Sequence, residues 1–196
     1  MSQAVSGGFE WLYPIRLLAP LAMFWLYRTE YRRMSFRFNS RSAFAGLAVA
    51  LLWIGAHSLQ ASWTKDQVSL DGLGGRLAAL SQEQRVLWVS CRVLAAVITV
   101  PVAEELAFRG YLARRLVSRD VEAVPYAELG TSAIIVSAIC FGLMHGWMWA
   151  PGIASGVVFG LLAKGRNRIG DAVAAHATAN LVIAAWVLLR SDYSLW

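Results

Sequence analysis

The stretch Val97-Ile-Thr-Val-Pro-Val-Ala-Glu104-Glu105-Leu-Ala-Phe-Arg109-Gly110 decides how this chain is read. It sets two adjacent carboxylates and a guanidinium inside an apolar run that covers residues 86–117. A charged side chain at the centre of a bilayer costs about 2.5–3.5 kcal/mol on the mildest scale, so each needs a partner or a task. On a helix Glu105 and Arg109 are one turn apart on one face and suit a bidentate ion pair. Glu104 points about 100° away, because an α-helix completes a turn in 3.6 residues. Glu105 is therefore expected to be structural, and Glu104 to face a cavity where it can serve as a general base.

The rest of the composition agrees with a membrane setting. Of 196 residues, 58% are hydrophobic and only 15% charged, against about 45–50% and about 25% in soluble domains. The apolar residues fall in runs close to the ~20 needed to cross a bilayer. The net charge of +6 would suggest nucleic acid in a soluble protein. Here the basic residues flank the apolar runs, where the positive-inside rule accounts for them, so no nucleic-acid partner is expected. Cys91 and Cys140 lie in apolar segments at unrelated positions and read as small buried hydrophobes.

Six spans are expected, at residues 11–27, 43–59, 85–118, 131–147, 152–163 and 171–189. The third is expected to break or bend at Pro101, and the fifth is short enough to be buried or tilted. Basic linkers follow the first, third and fifth spans and mark the cytoplasmic side. The polar loop 60–84, with room for a short interfacial helix, and the Trp-rich turn at 147–152 are then outside, as are both ends. No leader with a cleavage site precedes the first span, which is expected to direct insertion itself. The chain divides into an N-terminal two-span region, residues 1–84, and a core, residues 85–196, within one all-α, polytopic membrane bundle.

Two further sets could do chemistry. His176 and Asn180 are four apart and share a helix face, offering an imidazole and an amide to a developing oxyanion. Phe141 and His145 share a face on another helix, and His145 could orient a water held by Glu104. Asp171, at a helix start, reads as an N-cap. His57 has no partner at helical spacing and reads as buried or incidental. Arg92 can pair with an acid or snorkel outward. Catalysis, a structural polar network and transport all stay open on these residues alone, although the outer halves of the spans are too apolar to line a transport path.

The three sets resemble the CPBP family of intramembrane proteases (CAAX proteases and bacteriocin-processing enzymes, also called the Abi family). That family carries a Glu-Glu pair with Arg four residues on, a Phe with His four later, and a His with Asn four later. Here they read Glu104-Glu105-Leu-Ala-Phe-Arg109, Phe141-Gly-Leu-Met-His145 and His176-Ala-Thr-Ala-Asn180, in the same order. The resemblance covers about residues 97–184. It implies a helical membrane core around a polar catalytic cavity, with Glu104 and His145 as the water-activating pair. His176 and Asn180 would hold the oxyanion, and Glu105 and Arg109 would support. The six spans are fewer than larger CAAX endopeptidases have. This shorter form is similar to bacterial members associated with exosortase protein sorting, which suggests a multi-pass protein of a bacterial-type inner membrane with a sorting partner, and to bacteriocin immunity proteins.

The expected reaction is hydrolysis of a peptide bond in a membrane-associated protein or peptide, without a cofactor. One rival is a zinc site built from Glu104, His145 and His176. Another is a non-catalytic immunity or partner-binding protein of the same fold. One depth conflict accompanies the reading. At about 1.5 Å per residue, Glu104 lies ~21 Å from the end of its span and His145 is similarly deep, but His176 is only ~8 Å past Asp171. The last span must therefore start deep, with the turn 166–170 recessed.

Overall fold

The computed structural model describes residues 17–29, 39–64 and 72–196, and no strand occurs among them. The helices are α1 (Leu18–Leu26), α2 (Ser40–Thr64), α3 (Leu73–Ala78), α4 (Gln82–Ala113), α5 (Thr131–Leu143), α6 (Trp149–Gly165) and α7 (Ile169–Arg190). Four helical stretches, Ser40–Trp63, Gln82–Ala113, Gly146–Gly165 and Ile169–Arg190, are long and apolar enough to cross a membrane. Only 22–39% of the residues in their most apolar windows are buried inside the molecule. Much of the remainder is exposed, and Leu94, Ile98, Leu161 and Leu181 are each more than half exposed. Such a surface suits hydrocarbon and would be an aggregation liability in water. Part of the expected first span, residues 11–16, lies outside the described residues, as do residues 30–38 of the basic linker; α1 is the described remainder of that span. The short helix expected in the polar loop is α3.

Helix α4 begins with a capping box, in which the Gln84 amide donates to Ser81 Oγ at 3.3 Å and the Ser81 amide to Gln84 Oε1 at 3.2 Å. It then runs past Pro101 without breaking. The expected break is replaced by two π-helical stretches, Ala95–Thr99 and Leu106–Ala113, on either side of the α-helical Val100–Glu105. Proline lacks an amide hydrogen and its ring crowds the preceding turn, and the wider turn before it provides the room. Widened turns also release backbone carbonyls to other partners. The Ala96 carbonyl accepts from Asn180 Nδ2 at 2.7 Å, and the Phe108 carbonyl from Ser137 Oγ at 2.9 Å.

The fourth and fifth expected spans exchange lengths. Helix α5 stops at Leu143, 13 residues long, while α6 covers 17. Gly146, at φ +60°, reverses the chain after α5, a conformation that glycine adopts without penalty. Pro151 lies in the first turn of α6, where no amide bond is lost. Helix α6 closes on α5 through small residues at a spacing of four, Gly152, Gly156 and Gly160, the pattern that lets membrane helices approach at backbone distance. A Cβ on Gly156 would come within 2.8 Å of Ala138 Cα, and one on Gly160 within 2.8 Å of Ile134 Cγ2. Helix α2 docks on α7 in the same way, with Gly46 against the Ala175 carbonyl.

Asp171 does not cap α7. It is the third residue of the helix, whose N-cap position is Arg168. Its buried carboxylate accepts from Arg168 Nη2 at 3.1 and 3.2 Å and from Asn39 Nδ2 at 3.1 Å. Side chains outcompete the backbone amides because a buried carboxylate needs a counter-charge. The result ties the turn before α7 to the start of α2. Ile169, Ala172 and Val173 are all buried, so α7 begins inside the bundle, and His176 comes within 2.9 Å of Glu105. His57 is buried and has a partner beyond helical reach, Ser194 Oγ at 2.9 Å.

Candidate active site

Glu105 is fully buried. Its Oε1 accepts from Arg109 Nη1 at 3.0 Å and lies 2.9 Å from His176 Nδ1. A carboxylate oxygen only accepts, so Nδ1 of His176 carries the hydrogen. Arg109, 1% exposed, also donates through Nη2 to the Gly156 carbonyl at 2.8 Å and sits 4.6 Å over the Phe141 ring. The chain Arg109–Glu105–His176 therefore joins α4, α6 and α7. Each buried charge in it is opposed by another or bonded, the condition for keeping charges out of water.

The His176 ring is held flat. It stacks on Phe159 at 4.9 Å and 15°, and meets the edge of Phe141 at 5.8 Å. This leaves Nε2 directed to Glu104, whose Oε2 is 3.9 Å away, too far for a hydrogen bond. Glu104 Oε2 is buried with no hydrogen-bond partner among the described residues. The two glutamates diverge as expected from their spacing, and Glu104 reaches the cavity.

His145 is not on a helix face. It follows the end of α5, at φ −95° and ψ 13°, and its ring folds back so that Nδ1 lies 2.7 Å from the Phe141 carbonyl. That carbonyl belongs to the last turn of a helix, where backbone acceptors lack intrahelical donors. The four-residue spacing survives, with a turn in place of a helix. Since the carbonyl accepts, Nδ1 carries the hydrogen and Nε2 is a free base in the neutral ring. The edge of Trp53, with centroids 5.2 Å apart, fixes the other side of the ring.

Glu104, His145, His176 and Asn180 all line one cavity of about 370 Å³, together with Phe141 and Phe159. Asn180 commits one amide hydrogen to Ala96 and keeps a second. Arg92 faces this cavity too, with its guanidinium 5.9 Å from the Trp196 ring. The structure adds residues that the sequence reasoning missed: Trp53 and Ser155, joined by a 2.8 Å bond from Nε1 to Oγ, and Thr99. Trp53 carries a signal in hindsight, because it sits near the middle of its span, whereas membrane tryptophans favour the interfaces.

The imidazoles each have one nitrogen engaged, on Glu105 and on Phe141 O respectively. Among the described residues no group of three or more His, Cys, Asp and Glu side chains is arranged to hold a metal ion.

A family model for the type II CAAX prenyl endopeptidase Rce1-like proteins matches residues 84–182. No curated protein and no solved structure matches the chain. The matched region is just over half of the molecule and contains both glutamates, Arg109, both cavity histidines and Asn180. The chain therefore belongs to the Rce1-like CAAX endopeptidase family, a family of proteases that work within the membrane.

Proposed function

We propose that this protein is a glutamate-type intramembrane endopeptidase that hydrolyses a peptide bond of a membrane-associated protein or peptide. The observation that carries the reading is the buried Oε2 of Glu104, without a hydrogen-bond partner among the described residues, on a cavity shared with two oriented imidazoles. Glu104 accepts a proton from a water that also donates to the free Nε2 of His145. The hydroxide so formed attacks the scissile carbonyl carbon. The oxyanion receives hydrogen bonds from Asn180 Nδ2 and from Nε2 of a protonated His176, whose charge offsets that of the oxyanion while Glu105 holds Nδ1. Collapse breaks the C–N bond, and the proton on Glu104 passes to the departing amine. Low effective dielectric in the cavity strengthens every one of these interactions.

The active form in this reading needs no metal. Among the described residues Nε2 of each ring has no hydrogen bond, and both are used as hydrogen-bonding groups in the reaction. Metal analysis of pure, active protein checks this: activity without bound zinc supports it, and stoichiometric zinc lost together with activity would replace it with the zinc-dependent mechanism. We further propose six spans in a bacterial-type inner membrane, with α1 completing the first and α5 a short fourth. The family description names prenyl endopeptidases, and a reporter peptide offered with and without a prenyl group tests whether this chain shares that preference.

The deciding experiment compares membrane-protein termini by mass spectrometry in the native host, wild type against Glu104→Gln at equal expression. A terminus that appears only with the wild type is expected. Loss of a general base typically costs about 10²–10⁴-fold in rate, enough to remove that terminus. Termini unchanged between the strains, with the deletion phenotype rescued by Glu104→Gln, would make the protein a non-catalytic binder.

A further inference from the structure

A second cavity, about 240 Å³, lies outside the candidate active site. Its rim holds Arg41, from the first turn of α2, and Arg166, from the turn after α6, both exposed to the surroundings. Its wall is Val158, Leu161, Leu162 and Gly165, which recur at helical spacing along one face of α6. The acid at its floor, Asp171, is already bonded twice to Arg168 and once to Asn39. The rim arginine Arg166 keeps its Nε 3.9 Å from Asp171, beyond hydrogen-bond length. Arg41, Arg166 and Arg168 outnumber Asp171, so the neighbourhood is cationic.

A pocket with two guanidinium groups at a helix end and an aliphatic wall running down the span has the two-part chemistry of an amphiphile. The cationic rim matches a phosphate, since guanidinium donors fit its oxygens as a fork. The wall matches an acyl chain, and Leu161, 55% exposed, gives that chain a surface to lie on. Basic pockets between membrane helices recognise anionic head groups by this combination. From this we infer that Arg41 and Arg166 hold the head group of an anionic phospholipid, with its chain against Val158, Leu161 and Leu162. The site adjoins the Asp171 junction and is five residues upstream of His176 on α7. Its occupant bridges α2 and the α6–α7 turn, clamping the recessed start of α7.

Gly165 offers a clean steric test. Nothing lies within 4 Å of the position its Cβ would take, so a side chain can start at this lining position without a clash, and Gly165→Leu adds bulk where the occupant would sit. The experiment uses the purified full chain in detergent with equimolar phosphatidylglycerol and phosphatidylcholine, and native mass spectrometry counts the lipid retained. The wild type is expected to keep phosphatidylglycerol preferentially. The Arg41→Gln/Arg166→Gln variant should lose this preference by about thirtyfold, from two guanidinium contacts near a membrane surface. Gly165→Leu should reduce retention with both arginines intact, and millimolar inorganic phosphate should not displace the lipid. Equal retention of the two lipids by the wild type, or phosphatidylglycerol retention unchanged in either variant, overturns the proposal. Displacement by inorganic phosphate alone would make it a free-anion site and overturn it equally. The readout is independent of proteolysis, so it stands or fails apart from the proposed reaction.

Discussion

Arg109 shows how strongly single residues are constrained here. It meets Glu105, the Gly156 carbonyl and the Phe141 ring at once, and water reaches none of them. Replacing it with methionine would leave Glu105 as a buried carboxylate opposed only by His176. Breaking a buried pair in this way costs about 3–5 kcal/mol. Arg109→Met is therefore expected to lower the thermal unfolding temperature in detergent markedly, and Glu104→Gln to leave it nearly unchanged. If both variants melt like the wild type, the ion pair contributes nothing to the fold. The Glu105–Arg109 pair and the shared face of His176 and Asn180 were readable from four-residue spacings, because an ion pair or a shared helix face is a local property. The setting of His145 was not. Its ring lies beyond the helix end, and the chain reversal depends on a backbone angle at Gly146 that composition does not announce.

Among the elements, α6 is the most tightly specified. Its glycines at 152, 156 and 160 bring it against α5, and the Gly156 carbonyl reaches Arg109 only because of that approach. A methyl group at Gly156 would meet Ala138 at 2.8 Å and Arg109 Nη2 at 3.1 Å. Gly156→Ala is expected to destabilise by about 1–3 kcal/mol, the usual cost of overpacking, and to lower activity by shifting Arg109 and, through it, Glu105. Reversible unfolding of the variant in mixed micelles and its turnover of a reporter peptide measure the two effects. Activity lost with stability intact would show that the close approach serves the site rather than the fold. The glycine content of this segment was visible in the sequence, yet its length was misread, because the break before it rests on Gly146 and its start on Trp149. The π-helical turns of α4 were invisible for a related reason. Pro101 signals a disturbance, but whether a helix kinks or widens depends on acceptors elsewhere, here Asn180 and Ser137. Asp171 reads as a cap until Arg168 and Asn39 come near it, and the second of these is 132 residues away.

At the scale of the molecule, the alternation of basic and apolar segments predicts an orientation. Helix α4 should begin outside and end in the cytoplasm. In intact cells, an impermeant maleimide is expected to label Gln82→Cys and not Asp120→Cys, and the opposite pattern would invert the molecule. The segment after α7 gives a pH dependence. Partial burial pushes the Asp192 carboxyl up, but hydrogen bonds from the Ser194 hydroxyl and amide, with His57 and Arg190 nearby, together outweigh it and hold the group below the ordinary carboxylate range. A depressed carboxylate contributes stability that is complete above its unfolded value, about 3.9, and is lost as pH falls through the lower folded one. Docking of the turn Tyr193–Leu195 should thus be intact at neutral pH and fail only in strong acid. Hydrogen exchange at the Ser194 amide measures it, and protection that fades already near pH 6 would contradict the assignment. The helical class and the presence of several spans were legible from apolar run lengths alone, whereas the entry of Trp53 into the site required α2 to lie across α7. The chain Arg109–Glu105–His176 also sets an order in time. Arg109 and Glu105 stand on α4, the Gly156 carbonyl that receives Arg109 on α6 and His176 on α7, and α7 is the last of these to leave the ribosome. Until it arrives, Glu104 has no imidazole partner from α7 and Glu105 lacks its second contact. Under the proposed mechanism a half-inserted chain is therefore chemically silent, and a nascent protease of this kind cuts none of its neighbours before α7 is in place.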